Sequence, residues 1–118
     1  MVKDFKELVV WQKSIEFVKE IYKETKTFPK DELFGLTSQL RRASVSVASN
    51  IAEGWLRQYT KEYIQFLFHS IGSCGEIETQ LIIAKELGYI NETKFNILVE
   101  RINHIVRMLN NLSKSLKK

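Results

Sequence analysis

The chain offers few side chains able to do bond chemistry, and their spacing points away from catalysis. It contains two histidines, His69 and His104, and one cysteine, Cys74. Four-helix proteins that hold two metals use paired Glu-x-x-His motifs with two further glutamates. Neither histidine here follows a glutamate at that spacing. Glu100 and His104 stand one helical turn apart and read as a surface contact. A zinc site needs more thiols or imidazoles than these three side chains provide. The run Gly72-Ser73-Cys74-Gly75 lacks the lysine and the spacing of a phosphate-binding loop. Its glycines are expected to permit close helix approach, with Cys74 a buried structural thiol. No catalytic residue, cofactor site or metal site is expected.

The densest polar chemistry lies between Leu36 and Gly54, a helix-length stretch rich in small residues. On a helix, Gln39, Arg42, Ser46, Ser49, Asn50 and Glu53 share one face, and Ser73 and Glu76 on the next helix are placed to meet it. Arg42, Ser46, Asn50, Glu53, Ser73 and Glu76 are therefore candidates for a structural polar network or a subunit contact. Each such group left buried without a partner would cost roughly 1–3 kcal/mol, so the network must be closed to be stabilising.

Basic residues form the second constellation. From Arg101 to the end, Arg101, Arg107, Lys114, Lys117 and Lys118 occur with no acidic residue between them. Arg107, Lys114 and Lys118 lie on one helical face, interleaved with His104 and Asn111. Arg41, Arg42, Arg57 and Lys61 read as a second cluster, with Tyr59 able to stack a base. The candidates for nucleic-acid contact are thus Arg107, Lys114, Lys118, Arg101, Arg41, Arg57 and Lys61. A competing reading is that lysines at a helix C-terminus complement its dipole and keep it hydrated.

Four helices are expected to position these groups, over about 5–27, 33–54, 60–87 and 91–116, as one domain spanning 1–118. In the first, Leu8, Trp11, Ile15, Val18, Tyr22 and Thr25 step by threes and fours, the period of a helix seam. Phe28-Pro29 ends it, because the residue before proline resists the α conformation. The second carries Leu33, Leu36, Leu40, Ala43, Val47 and Ile51, with Gly54 expected to terminate it in the left-handed conformation. Thr60 and Asn91 are expected N-caps, and Gly88 the end of the third helix. The fourth has the most regular stripe: Phe95, Leu98, Ile102, Ile105, Leu109, Leu112 and Leu116. The third lacks a single face, with Tyr63, Phe66, Ser70, Ser73, Ile77 and Ala84 beside Ile64, Leu67, Ile71, Cys74 and Leu81. That width, with Val99 and Val106 beside the fourth stripe, suggests burial against a second chain.

Bulk composition agrees. At 118 residues, 44% hydrophobic and 27% charged, the chain can build one core of ordinary globular balance. A net charge of +4 makes nucleic acid a candidate partner. A lone cysteine, no apolar leader and no apolar run of about 20 residues place the expected location in the cytoplasm.

The segments Leu8-Val9-Val10-Trp11-Gln12-Lys13, Leu36-Thr37-Ser38-Gln39-Leu40-Arg41-Arg42-Ala43, Ser46-Val47-Ala48-Ser49-Asn50-Ile51-Ala52-Glu53-Gly54, and Gly72-Ser73 with Glu76-Ile77-Glu78-Thr79-Gln80-Leu81 carry a resemblance. In that order, from about Phe5 to Leu109, the chain resembles the four-helix-bundle proteins encoded in intervening sequences of bacterial 23S ribosomal RNA genes, the S23 ribosomal proteins. Short connections between successive helices predict an antiparallel up-down bundle, and the resemblance implies that it assembles into a homopentamer with a basic surface and no enzymatic activity. It also implies kinship with retroelement accessory variability proteins, which work with a reverse transcriptase and its RNA. Ala48 stands where many members carry proline, so this helix should be more regular there. The function expected is non-enzymatic binding of structured RNA or an RNA–protein assembly through basic surfaces. The alternative is an oligomeric scaffold or adaptor docking a protein partner such as a reverse transcriptase, with no direct nucleic-acid role.

Overall fold

The computed structural model describes residues 2–117, and it is all-α. A 3-10 turn, Phe5–Glu7, precedes α1 (Val9–Thr25), and a second, Lys30–Glu32, precedes α2 (Leu36–Trp55). Then follow α3 (Thr60–Glu86) and α4 (Glu92–Leu116), with no strand among the described residues. Each helix packs on two others, in the order α1, α2, α3, α4 and back to α1. The α2–α3 seam is the most extensive and the α1–α4 seam the sparsest. Ile21, Leu40, Ile51, Leu67, Ile77, Leu81, Leu98, Ile102 and Leu109 fill the centre of one continuous core.

The first helix starts later than its apolar spacing suggests. The Asp4 carboxylate accepts from Lys6 N at 2.8 Å and holds the 3-10 turn, while Leu8 is extended, so helical φ and ψ begin at Val9. Its buried face is accordingly Val10, Ser14, Phe17, Ile21 and Thr25. Of the expected track only Leu8 and Thr25 are buried; Trp11, Ile15 and Val18 are half-buried and Tyr22 is 39% exposed. Ser14 and Thr25 tolerate burial because their hydroxyls donate back to Val10 O (2.8 Å) and Ile21 O (2.7 Å) of their own helix.

The second helix also starts late. Leu33 lies in the turn and is 50% exposed instead of joining the stripe. The Glu32 carboxylate closes the helix start by accepting from Leu36 N at 3.0 Å, and its other oxygen accepts from the Tyr89 hydroxyl at 3.0 Å. One acid thus ties the α1–α2 connection to the α3–α4 connection. Gly54 does not end the helix in a left-handed turn, since among the described residues the only positive φ is at Gly88 (79°). Gly54 lies inside α2 and is buried, where a Cβ would meet Phe66 Cβ at 2.9 Å and Tyr63 Cδ1 at 3.0 Å. Its role is close approach of α2 to α3.

The remaining boundaries follow sequence logic more closely. Thr60 is the first residue of α3 and Tyr59 its N-cap, without a side-chain cap. Gly88 ends that helix as expected, and the Asn91 side chain accepts from Lys94 N at 2.8 Å to open α4. On α4, Leu98, Ile102, Ile105 and Leu109 are buried, with Phe95, Leu112 and Leu116 packed at the core's edge. α2 runs through Ala48 without interruption.

Candidate functional site

Two features compete: the polar seam between α2 and α3, and the basic residues. The seam is built by small side chains. Ser46 and Ser73 bring their hydroxyl oxygens to 3.0 Å across the two helices. Asn50, one turn further along α2, donates from Nδ2 to Ser46 O (2.9 Å) and to Ser46 Oγ (3.0 Å). Because Ser46 Oγ accepts from Asn50, its own proton is free for Ser73. Ser70, which reads in sequence as part of an apolar track, is fully buried and donates to Val47 O at 2.8 Å.

The expected network is therefore closed at its hydroxyl and amide members and open at its charged ones. Arg42, Glu53 and Glu76 are exposed and make no ion pair within 4.0 Å among the described residues. Arg42 and Glu76 instead line one groove with Gln39, Ala43, Ser46 and Gln80, a cavity of about 330 Å³. Gln80 was not among the residues singled out by sequence. It is only 8% exposed, and its Oε1 is sealed from solvent without a hydrogen-bond partner.

The basic residues are less concerted than their order along the chain suggests. Arg101 is ion-paired with Glu20 of α1, and Arg107 with Glu100 at 3.1 Å. Arg41 is drawn into the α1–α2 seam, where its Nε donates to Thr25 Oγ1 (2.9 Å) and its guanidinium sits 4.7 Å from the Tyr22 ring centre. Arg57 stacks on Phe66 at 4.6 Å. Arg41 and Arg57 do not form one cluster: Arg41 lies in the first half of α2 and Arg57 beyond its end, and the helical rise from Arg41 to Trp55 alone separates them by roughly 20 Å. Lys61, His104, Asn111 and Lys114 are exposed. Lys118, the last member of the proposed stripe, lies outside the described residues.

A second groove, of about 680 Å³, opens along the sparse α1–α4 seam. Phe17 and Ile105 form its floor, and Lys13, Glu16, Lys19, Glu20, Glu100, Arg101 and His104 its rim. Glu100 and His104 share that rim, yet no three His, Cys, Asp or Glu side chains converge as metal ligands among the described residues. Cys74 is buried, and burial pushes its thiol up to about 12, so it stays protonated and poorly nucleophilic at neutral pH. Gly72 and Gly75 face open space and approach no other helix of the chain, contrary to the expectation for this turn.

One end of the molecule carries exposed apolar side chains that sequence periodicity did not flag. Phe34 is 93% exposed, next to Leu33, and Leu87 in the α3–α4 connection is 55% exposed. The Tyr89–Glu32 hydrogen bond and the packing of Tyr89 on Phe28, ring centres 5.5 Å apart, hold the two connections together at that end.

No described helix is long and apolar enough to cross a membrane. No curated protein matches the chain. Among solved structures it is similar to a protein of unknown function from the S23 ribosomal protein family of Bacteroides thetaiotaomicron, with 24% identity over 90% of this chain and 96% of that one. The TM-score of 0.83 makes this a likeness of fold. The model of the 23S rRNA-intervening sequence protein family matches residues 6–111. With nearly the whole chain covered, this protein belongs to the 23S rRNA-intervening sequence protein family.

Proposed function

We propose that this protein is a non-enzymatic, cytoplasmic, oligomeric binder of structured RNA or of an RNA–protein assembly. The observation that carries the reading is the outer face of α4. From His104 onward, His104, Arg107, Asn111 and Lys114 are all exposed, and no acidic residue follows Glu100. Such a face repeated around an axis concentrates positive potential, and five copies at +4 would carry about +20. Arg101, Arg41 and Arg57 are secondary candidates, held by partners within the chain, and Lys61 lies off α4; Arg107 is paired too, with the exposed Glu100, which a phosphate would have to displace.

The assembly proposed is a homopentamer of antiparallel up-down bundles. Opposed contacts along α2 and α3 support the antiparallel part: Gly54 meets Tyr63 and Phe66, Val47 meets Ser70, and Ser46 meets Ser73. Supporting burial against further copies, Phe68 and Ile82 are 42% and 45% exposed on α3, beside the open Gly72 and Gly75. The number five rests on the family likeness.

The test is titration with a structured rRNA fragment at about 50 and about 200 mM salt, across which binding through phosphate contacts falls steeply. Charge reversal at Arg107, Lys114 and Lys118 should weaken binding and flatten the salt dependence. Absence of binding at the lower salt would overturn the reading. The exposed Phe34, Leu33 and Leu87 favour a second reading, in which the protein docks a partner such as a reverse transcriptase. That contact would survive the higher salt, because burial of apolar surface is far less sensitive to screening.

A further inference from the structure

Along the α2–α3 seam, polar side chains face one another at successive turns. Ser46 and Ser73 close one level with their 3.0 Å hydrogen bond. One turn towards the start of α2 come Arg42 and Glu76, and one further turn brings Gln39 and Gln80. These two levels stay open: neither Arg42 nor Glu76 has an ionic partner among the described residues, and Gln80 Oε1 is buried without a donor. The groove over them holds about 330 Å³, with the Ala43 methyl as an apolar spot on its wall.

The charges on its walls select what fits. A bare anion drawn to Arg42 meets the Glu76 carboxylate, and a bare cation drawn to Glu76 meets the guanidinium. A molecule carrying both signs a few ångströms apart satisfies both walls. A third group is required to give Gln80 a hydrogen bond, one helical turn away at about 5 Å. The volume lies near the lower limit for small-molecule sites, so it suits a compact metabolite better than a peptide or a whole nucleotide.

We propose that this groove binds a free α-amino acid with a carboxamide side chain. Its carboxylate pairs with Arg42, its ammonium with Glu76, and its side-chain amide with Gln80 and Gln39. On binding, the Gln80 amide turns from its sealed position on the groove wall towards the ligand and gains the hydrogen bond that the chain does not supply, and no covalent step is involved. This site is independent of the RNA reading: it lies between α2 and α3, whereas the basic stripe is on α4.

The test is a titration of the isotope-labelled full-length chain with L-glutamine, followed through the side-chain amide signals of Gln39 and Gln80. Saturable shifts below about 10 mM are expected, with affinity reduced at least about tenfold in Arg42→Gln and in Glu76→Gln. Acetate and methylammonium, each carrying half of the charge pattern, should not saturate. The double exchange R42E/E76R keeps both charges and should bind more tightly than either single variant, while urea denaturation of the ligand-free single variants should match the parent, a result that a purely structural role would not produce. Lack of saturation with L-glutamine would overturn the proposal, as would affinity unchanged in both single variants. RNA titration of the same variants should be unaltered for Glu76→Gln, so failure here and failure of RNA binding remain separable.

Discussion

Gly54→Ala should destabilise the protein even though it replaces a glycine of the last turn of α2 by the best helix former. Intrinsic propensity favours alanine there by at most about 1 kcal/mol, the value for a helix interior. The added Cβ, however, would stand 2.9 Å from Phe66 Cβ, 3.0 Å from Tyr63 Cδ1 and 3.2 Å from Tyr63 O. Carbon atoms in good contact sit at about 3.5–4.0 Å, so α3 must retreat by roughly 0.6–1 Å. The nearest atom is Phe66 Cβ, fixed to the backbone, so a side-chain rotation cannot provide that space. Overpacking of this kind costs about 1–3 kcal/mol. Displacement of α3 would also lengthen the Ser70–Val47 and Ser46–Ser73 contacts further along the same seam. The net expectation is a loss of about 1–2 kcal/mol, after subtracting the propensity gain from the packing and seam costs. Urea denaturation at constant protein concentration reads it directly. Gly72→Ala and Gly75→Ala provide the internal comparison, because nothing lies within 4 Å of either added Cβ. At protein concentrations low enough to keep copies apart, each should gain about 0.5–1 kcal/mol, a gain that burial of this face against another copy would reverse. A Gly54→Ala protein as stable as the parent would refute the close-approach reasoning. A loss of stability or of assembly at Gly72 or Gly75 would instead show that their open face is packed against another copy.

The core face of α1 is testable by contrast: Phe17→Ala should cost about 3–5 kcal/mol. Tyr22→Ala should cost about 1 kcal/mol, chiefly the ring's contact with the Arg41 guanidinium; the reverse order in thermal melts would restore the outer track as the core. High pH should weaken the fold through Cys74, whose folded value of about 12 lies above the ordinary thiol range. With the folded value raised, the contribution is intact below about pH 8.5 and is lost as pH rises from there towards the folded value. Tyr63, also raised by burial, acts in the same direction. Cys74→Ala should therefore lower stability at neutral pH yet lose less of it by pH 10, and parallel pH profiles for the two proteins would contradict the buried-thiol reading.

Much of α4 could be read from its residues. Four successive buried positions, Leu98, Ile102, Ile105 and Leu109, keep the helical period, and Asn91 and Gly88 carry caps that depend on local chemistry alone. The first helix misled for a local reason. Counting from Leu8 assumes that Leu8 is helical, whereas it is extended, and the true face is masked by Ser14, a polar residue satisfied by its own backbone. Gly54 was legible as special but not in its role, since a terminating glycine and a contact glycine look alike until the facing helix is known. At the site, Ser46, Asn50 and Ser73 were readable as a network. Gln80 was not, because an amide between Thr79 and Leu81 carries no mark of burial. The ion pairs Arg101–Glu20 and Arg107–Glu100 belong to the same class, the first joining residues far apart in the chain. Counting basic residues therefore overstated the free positive charge.

The α2–α3 seam also explains why a groove exists at all. At its Gly54 end the helices are held close by a missing side chain, and Ser46, Ser70 and Ser73 let them remain close through the middle. Towards the start of α2, Gln39 and Arg42 face Glu76 and Gln80, side chains too long to fit the same separation in a closed contact. Two rigid helices pinned tightly at one end cannot also close over large groups at the other, so those groups border a cleft. Small residues between Leu36 and Gly54 thus determine spacing, and spacing determines which polar groups remain open to a ligand or a second chain. Replacing Ser46 would accordingly disturb the groove without touching any of its charged members, because its hydroxyl joins Ser73 across the seam where the groove begins.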